Sequence, residues 1–209
     1  MTKEPDPVYS RNVVEFVAVA NEYCKYAEHA SEIKGEELLR IMQRLLPLLY
    51  LKASLLPVLK PYFEDGNEKF INESAWNIVH ETLLKGFGSA NDYLDVADEK
   101  NDQPDRTVVS SLAENMADIY QDLKDFILLY QTGTNEVMND ALWECRENFE
   151  NLWGQKLVNS LKAIHKYIYS GDTLSENNLA DAEEDHDNTD KPEWFISKRQ
   201  KEYRKNEDE

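Results

Sequence analysis

Glu114, Asp118, Asp122 and Asp125 follow one another at intervals of four, four and three residues. On a helix this spacing confines the four carboxylates to an arc of about 80°. Like charges four residues apart repel by a few tenths of a kcal/mol unless a cation or a basic partner relieves them. Asp140, Glu144, Glu147 and Glu150 form a second broad acidic face downstream. Asp122-x-x-Asp125 and Glu144-x-x-Glu147 together offer paired carboxylates on two neighbouring segments. Such an oxygen-rich donor set suits Mg²⁺ held against a substrate phosphate.

Two helices must position these acids. Leu112, Met116, Ile119, Leu123, Phe126, Ile127 and Tyr130 recur every three or four residues and define the apolar stripe of the first. Met138, Ala141, Leu142, Cys145, Phe149, Leu152, Trp153, Leu157, Leu161, Ile164 and Ile168 define a second. Thr132, Gly133 and Thr134 interrupt the two patterns, so the connection is short and the helices run antiparallel. The acids of the first helix centre about 125° from its stripe and those of the second lie nearly opposite theirs. Both sets are therefore expected to face water, or a basic partner, rather than a shared cleft. Trp143 lies among the acids of the second helix and well off its stripe, which makes it either covered by another element or an interface anchor.

Upstream, Val13, Phe16, Val17, Ala20, Tyr23, Cys24 and Ala27 predict an amphipathic helix over about 10–30, with Ser10 as N-cap. A run over 36–56 is apolar on nearly every side, which suggests a central helix kinked at Pro47. Pro57 and Pro61 end it. Trp76, Val79, His80, Leu83 and Leu84 mark a third helix over 73–85 with Gly86 as its stop. A further short helix is expected over 87–98, carrying Tyr93, Leu94 and Ala97. Thr107 or Ser111 begins the next, Ser111 with Glu114 forming a capping box. No strand alternation and no internal repeat is evident. The fold class is all-α: a single helical bundle of five or six main helices over 1–170, without significant sheet. The stretch 171–209 reads as an acidic, disordered tail in which Trp194, Phe195 and Ile196 form an aromatic patch beside a basic run, either a foot that docks back on the bundle or a motif read by a partner.

Charge narrows the function. The 209 residues contain 23 Lys plus Arg against 41 Asp plus Glu, a net charge of −18, and residues 1–170 alone carry about −11. Such a surface disfavours direct contact with nucleic acid or anionic lipid. The amino terminus has no signal-peptide core, and the most apolar window is too interrupted to span a membrane. Cys24 and Cys145, each on an apolar stripe, read as buried thiols of a cytoplasmic protein. His29, His80 and His165 read as structural. Glu183 and His186, the one Glu-x-x-His pair, fall in the tail, so a di-iron site is not expected. No Ser-His-Asp or Cys-His layout and no Gly-rich phosphate loop is legible.

The paired carboxylates resemble the ExxE…ExxD pattern of the all-helical nucleoside triphosphate pyrophosphatases, with Asp where that pattern has Glu. This resemblance implies a Mg²⁺-dependent enzyme with Asp122, Asp125, Glu144 and Glu147 as candidate metal ligands, and the carboxylate ladder adds Glu114 and Asp118 to the candidates. A longer likeness spans about residues 11–167. The blocks SLAENMADIYQDLKDF, ND-AL-C-ENF-WGQ-L, LLPLLYLKASLLP and VVEFVAVANEYC are similar to an uncharacterised bacterial family of all-helical proteins. That likeness implies the fold class and a bacterial cytoplasm, and brings no catalytic residue and no cofactor. A protein-interaction or regulatory module with an acidic surface is the function expected, with Trp143, Trp194 and Phe195 as interaction candidates and an unknown, basic protein as partner. A Mg²⁺-dependent pyrophosphatase is the alternative.

Overall fold

A computed structural model describes residues 6–64, 66–96 and 107–171; the expectations for Ala97, for the acidic tail and for Trp194 and Phe195 lie outside them. All the described residues belong to one compact unit spanning 1–177. Helix α1 is Arg11–Glu28, α2 Gly35–Ser54, α3 Glu73–Phe87, α4 Leu112–Tyr130, α5 Asn135–Asn148 and α6 Gly154–Ser170. The fold is mainly all-α, as the apolar periodicities require.

The central helix is α4, not the run over 36–56. It packs against α1, α3, α5 and α6, and its buried residues, from Leu112 and Ala113 to Ile127 and Leu129, include both flanks of the predicted stripe. Helix α2 instead leaves Leu48, Tyr50 and Leu51 exposed, as is Leu55 just beyond its end. Pro47 lies inside α2 on its exposed side, where the carbonyl deprived of a partner can be hydrated. Between α1 and α4 the core is aromatic, with the rings of Phe16 and Phe126 5.3 Å apart and the Tyr23 hydroxyl donating to the Met116 carbonyl at 2.8 Å.

Gly133, at φ 78°, lets the chain reverse between α4 and α5. Helix α5 then passes directly into α6 through one π turn, Phe149–Trp153. The Gly154 N–H reaches back to the Phe149 carbonyl, and a Cβ on Gly154 would stand 2.3 Å from that oxygen and 3.0 Å from the Phe149 ring. Only glycine fits there. The widened turn swings Trp153 fully into the core, where its indole N–H donates to the Cys145 carbonyl at 3.2 Å.

The expected short helix over 87–98 is replaced by a strand. β1, Asp92–Val96, pairs antiparallel with β2, Thr107–Ser111, in the register Tyr93 to Ser110 and Leu94 to Val109. The usual pattern of half-buried strands is inverted here: Leu94 and Val109 face each other on the exposed side, so polar-out alternation gave no signal. Buried Asn91 joins this hairpin to α4. Its side-chain oxygen accepts from the Ser111 hydroxyl at 3.1 Å and from the Ala113 N–H at 3.0 Å. Ser111 is the N-cap expected, accepting from the Glu114 N–H at 3.2 Å.

Candidate functional site

Between α2 and α3, residues 55–64 and 66–72 have no regular structure. A chain of this kind has backbone donors with no helical partner, and each must find an acceptor or face water. The carboxylates of α4 and α5 supply the acceptors. Asp125 Oδ1 takes the N–H groups of Phe70 and Ile71 at 2.8 and 2.9 Å. Asp140 takes Tyr62 N–H on Oδ1 at 2.7 Å and Phe63 N–H on Oδ2 at 2.8 Å. Both acids are only 3% exposed. Charge-assisted bonds from backbone amides compensate their burial.

Two amides and a guanidinium complete the clamp on this strap. Asn139 donates to the Lys60 carbonyl at 2.8 Å, Gln121 to the Ile71 carbonyl at 3.0 Å and Arg146 to the Leu56 carbonyl at 2.9 Å. Glu144 receives Asn67 and Lys69, each at 2.8 Å. Asp118 does for α3 and α6 what Asp125 does for the strap: it accepts the Trp76 indole N–H at 2.9 Å and pairs with Lys156. Trp76 in turn stacks on His80, ring centroids 4.9 Å apart and nearly parallel, which gives that histidine the packing role its sequence position suggests.

The acids of α4 therefore do not form an outward ladder. Because α4 is enclosed by four helices and the strap, the sector 125° from its apolar stripe is another buried surface. Asp118 and Asp122 are half-buried and Asp125 is buried, while Glu114 alone of the four is exposed. On α5, Asp140 is buried and Glu144 half-buried; Glu147 and Glu150 are exposed, and Trp143 is half-buried.

Three of the six candidate metal ligands, Asp122, Asp125 and Glu144, do converge. They line a crevice with Lys69, Asn148 and Cys145 whose free volume is about 10 Å³. That is room for about one water molecule. Asp122 accepts from Asn148 at 2.8 Å, and burial pushes its carboxyl above the usual range, with the Asn148 bond and the nearby Lys69 charge opposing that shift. Glu114, Asp118 and Glu147 lie outside this crevice. No group of three or more His, Cys, Asp or Glu side chains among the described residues is arranged to hold a metal ion. Cys24 and Cys145 are buried free thiols, their ionisation pushed up by burial.

Residues 7–170 match the family described as "Domain of unknown function (DUF5063)". The chain belongs to this family. The solved structure of protein BF1032 from Bacteroides fragilis is similar to it at 38% sequence identity and a TM-score of 0.72, covering 81% of this chain and 99% of that one. Among curated proteins, none matches. The family assignment agrees with the likeness seen in the sequence blocks, and the carboxylates, amides and strap of the clamp all fall within the DUF5063 region.

The strap carries apolar side chains outward. Val58, Tyr62, Phe63 and Phe70 are 81, 67, 54 and 40% exposed. Leu51 and Leu55, at the end of α2 that leads into it, are exposed as well. Sequence reasoning singled out neither these side chains nor Asn67 and Gln121, and noted Asn139 only within a family-like block. The signal available was the prolines at 57 and 61 followed by a stretch without periodicity, which must recruit acceptors from elsewhere.

Proposed function

We propose that this chain is a protein-interaction module of the bacterial cytoplasm whose contact surface is the strap. The observation that carries this reading is the pinning of four amides in two adjacent pairs, Tyr62 with Phe63 and Phe70 with Ile71, by two buried carboxylates, under the exposed side chains of Tyr62, Phe63 and Phe70. Fixing backbone that holds exposed aromatics reduces the ordering cost of binding. Tyr and Phe on such a surface are suited to act as anchors. The half-buried Trp143 extends the candidate surface on α5.

The partner is a basic protein segment with apolar anchor residues. The chain's net charge of −18 attracts cations, and Glu64 and Glu68 are exposed on the strap itself. The pyrophosphatase alternative is less well supported, since Asp125 and Glu144 already have protein donors and the crevice between them is smaller than a phosphate group.

A peptide-display selection on the full chain tests the proposal. Selected peptides are expected to combine Lys or Arg with aromatic or aliphatic residues. They should lose at least about tenfold in affinity, roughly 1.4 kcal/mol, on the Tyr62→Ser/Phe63→Ser variant. Peptides that bind that folded variant as tightly as the parent, or that are predominantly acidic, would overturn it.

A further inference from the structure

A cleft of about 460 Å³ lies between β1 and α6 on a part of the molecule that the strap does not use. Its volume is within the range of about 300–1,000 Å³ typical of small-molecule sites. Helix α6 contributes Lys162 and Lys166, one turn apart and so on the same face. The Lys162 ammonium stands 3.6 Å from Asp95 and its side chain is 64% exposed. Lys166 makes no ion pair among the described residues. Asp92, which also borders the cleft, accepts from Asn91 at 2.6 Å.

The remaining walls combine Ala90, Tyr93, Leu94, Ala163 and Tyr167 with Ser89 and Ser170. Tyr93 is held by a bond from Asn115 to its hydroxyl at 2.7 Å. Tyr167 lies within 3.4 Å of the Ser89 hydroxyl. Leu94 is exposed at the rim, paired across the hairpin with exposed Val109. In a chain with so large an excess of acid, Lys162 and Lys166 beside aromatic walls bring this open cavity close to neutral, with Asp95 3.6 Å from Lys162 and Asp92 at the border.

We propose that this cleft binds a small aromatic phosphate monoester, its ring between Tyr93, Leu94 and Tyr167 and its phosphate between Lys162 and Lys166. A dianion matches two ammonium groups better than a carboxylate, which carries one charge. The ring supplies the area that inorganic phosphate lacks.

Titration of the full-length chain with phenyl phosphate, benzoate, benzyl alcohol and inorganic phosphate, followed by amide ¹H–¹⁵N shifts, tests this. Phenyl phosphate should bind with each of the other three weaker by about tenfold or more. Its shifts should centre on Leu94, Ala163 and Tyr167. The Lys162→Ala/Lys166→Ala variant changes two exposed side chains and should fold normally while losing at least about tenfold in affinity. Lys34→Ala, at an exposed position at the start of α2, should bind as the parent does. Absence of shifts at about 10 mM phenyl phosphate, a concentration that detects even weak binding, would overturn the proposal. So would an unchanged affinity in the double variant, a matching loss in Lys34→Ala, or benzoate or benzyl alcohol binding as tightly.

Discussion

Asp125 and Asp122 are three residues apart on one helix and are predicted to respond oppositely to substitution. Removing the Asp125 carboxylate leaves the part-buried Phe70 amide and the buried Ile71 amide without that acceptor, and an unsatisfied buried donor costs about 1–3 kcal/mol. Asp125→Ala should therefore lower the unfolding free energy by about 2–4 kcal/mol, measured by urea denaturation. Asp122 has a folded pKa raised chiefly by burial. The folded state then holds its proton more tightly than the unfolded state, so this group's contribution to stability falls as pH rises from the unfolded value through the folded one. Asp122→Asn keeps an acceptor for Asn148 and removes the charge. It should match or exceed the parent in stability at pH 7, and the difference should shrink as the solution is acidified; a large loss at pH 7 would contradict the assignment of burial as the cause. Millimolar Mg²⁺ is expected to leave the melting temperature unchanged, whereas a rise abolished in Asp122→Asn would favour the metal reading. The residue types of the site were legible in the sequence, since the four-residue spacing of Glu114, Asp118 and Asp122 announces a charged helical face. Their direction was not. Angle from an apolar stripe equates to exposure only for a helix covered on one side, and α4 is covered on nearly all.

At the scale of elements, the periodicities of α1, α3, α4 and the α5–α6 pair were readable because each buries residues at helical spacing against α4 or its neighbours. The hairpin of β1 and β2 was not, because its exposed face carries Leu94 and Val109. The π turn was hidden for another reason: the stripe continues through Phe149, Leu152 and Trp153, and only the close approach of Gly154 to the Phe149 carbonyl reveals that the helix widens. Gly154→Ala must either push Phe149 aside or unwind the turn, so a loss of about 3 kcal/mol is expected, with a change in Trp153 fluorescence. A variant as stable as the parent would show that the turn relaxes freely. Ser160, fully buried on α6, has a hydroxyl with no hydrogen-bond partner among the described residues. Ser160→Ala removes that buried polar group and keeps the packing. It should raise stability by up to about 1 kcal/mol, read as a higher melting temperature.

For the whole molecule, the acid excess is divided between two tasks. Part of it is internal, at Asp118, Asp122, Asp125, Asp140 and Glu144, where carboxylates join α3, the strap and α6 to the α4–α5 hairpin. The exposed remainder, Glu147 among it, sets a negative long-range field. Among the described residues no helix is long and apolar enough to cross a membrane, and half of the large exposed apolar side chains, Leu48, Tyr50, Leu51, Leu55, Val58, Tyr62, Phe63 and Phe70, lie at the end of α2 and along the strap. The central claim is that the carboxylates hold the strap in one conformation. Native-state hydrogen exchange at the amides of Tyr62, Phe63, Phe70 and Ile71 tests it most directly. These four should exchange at least about 100-fold more slowly than in an unstructured peptide, with Asp125→Ala releasing only Phe70 and Ile71 and Asp140→Ala only Tyr62 and Phe63. Exchange of all four at the unstructured rate in the parent chain, or protection unaffected by either substitution, would contradict it.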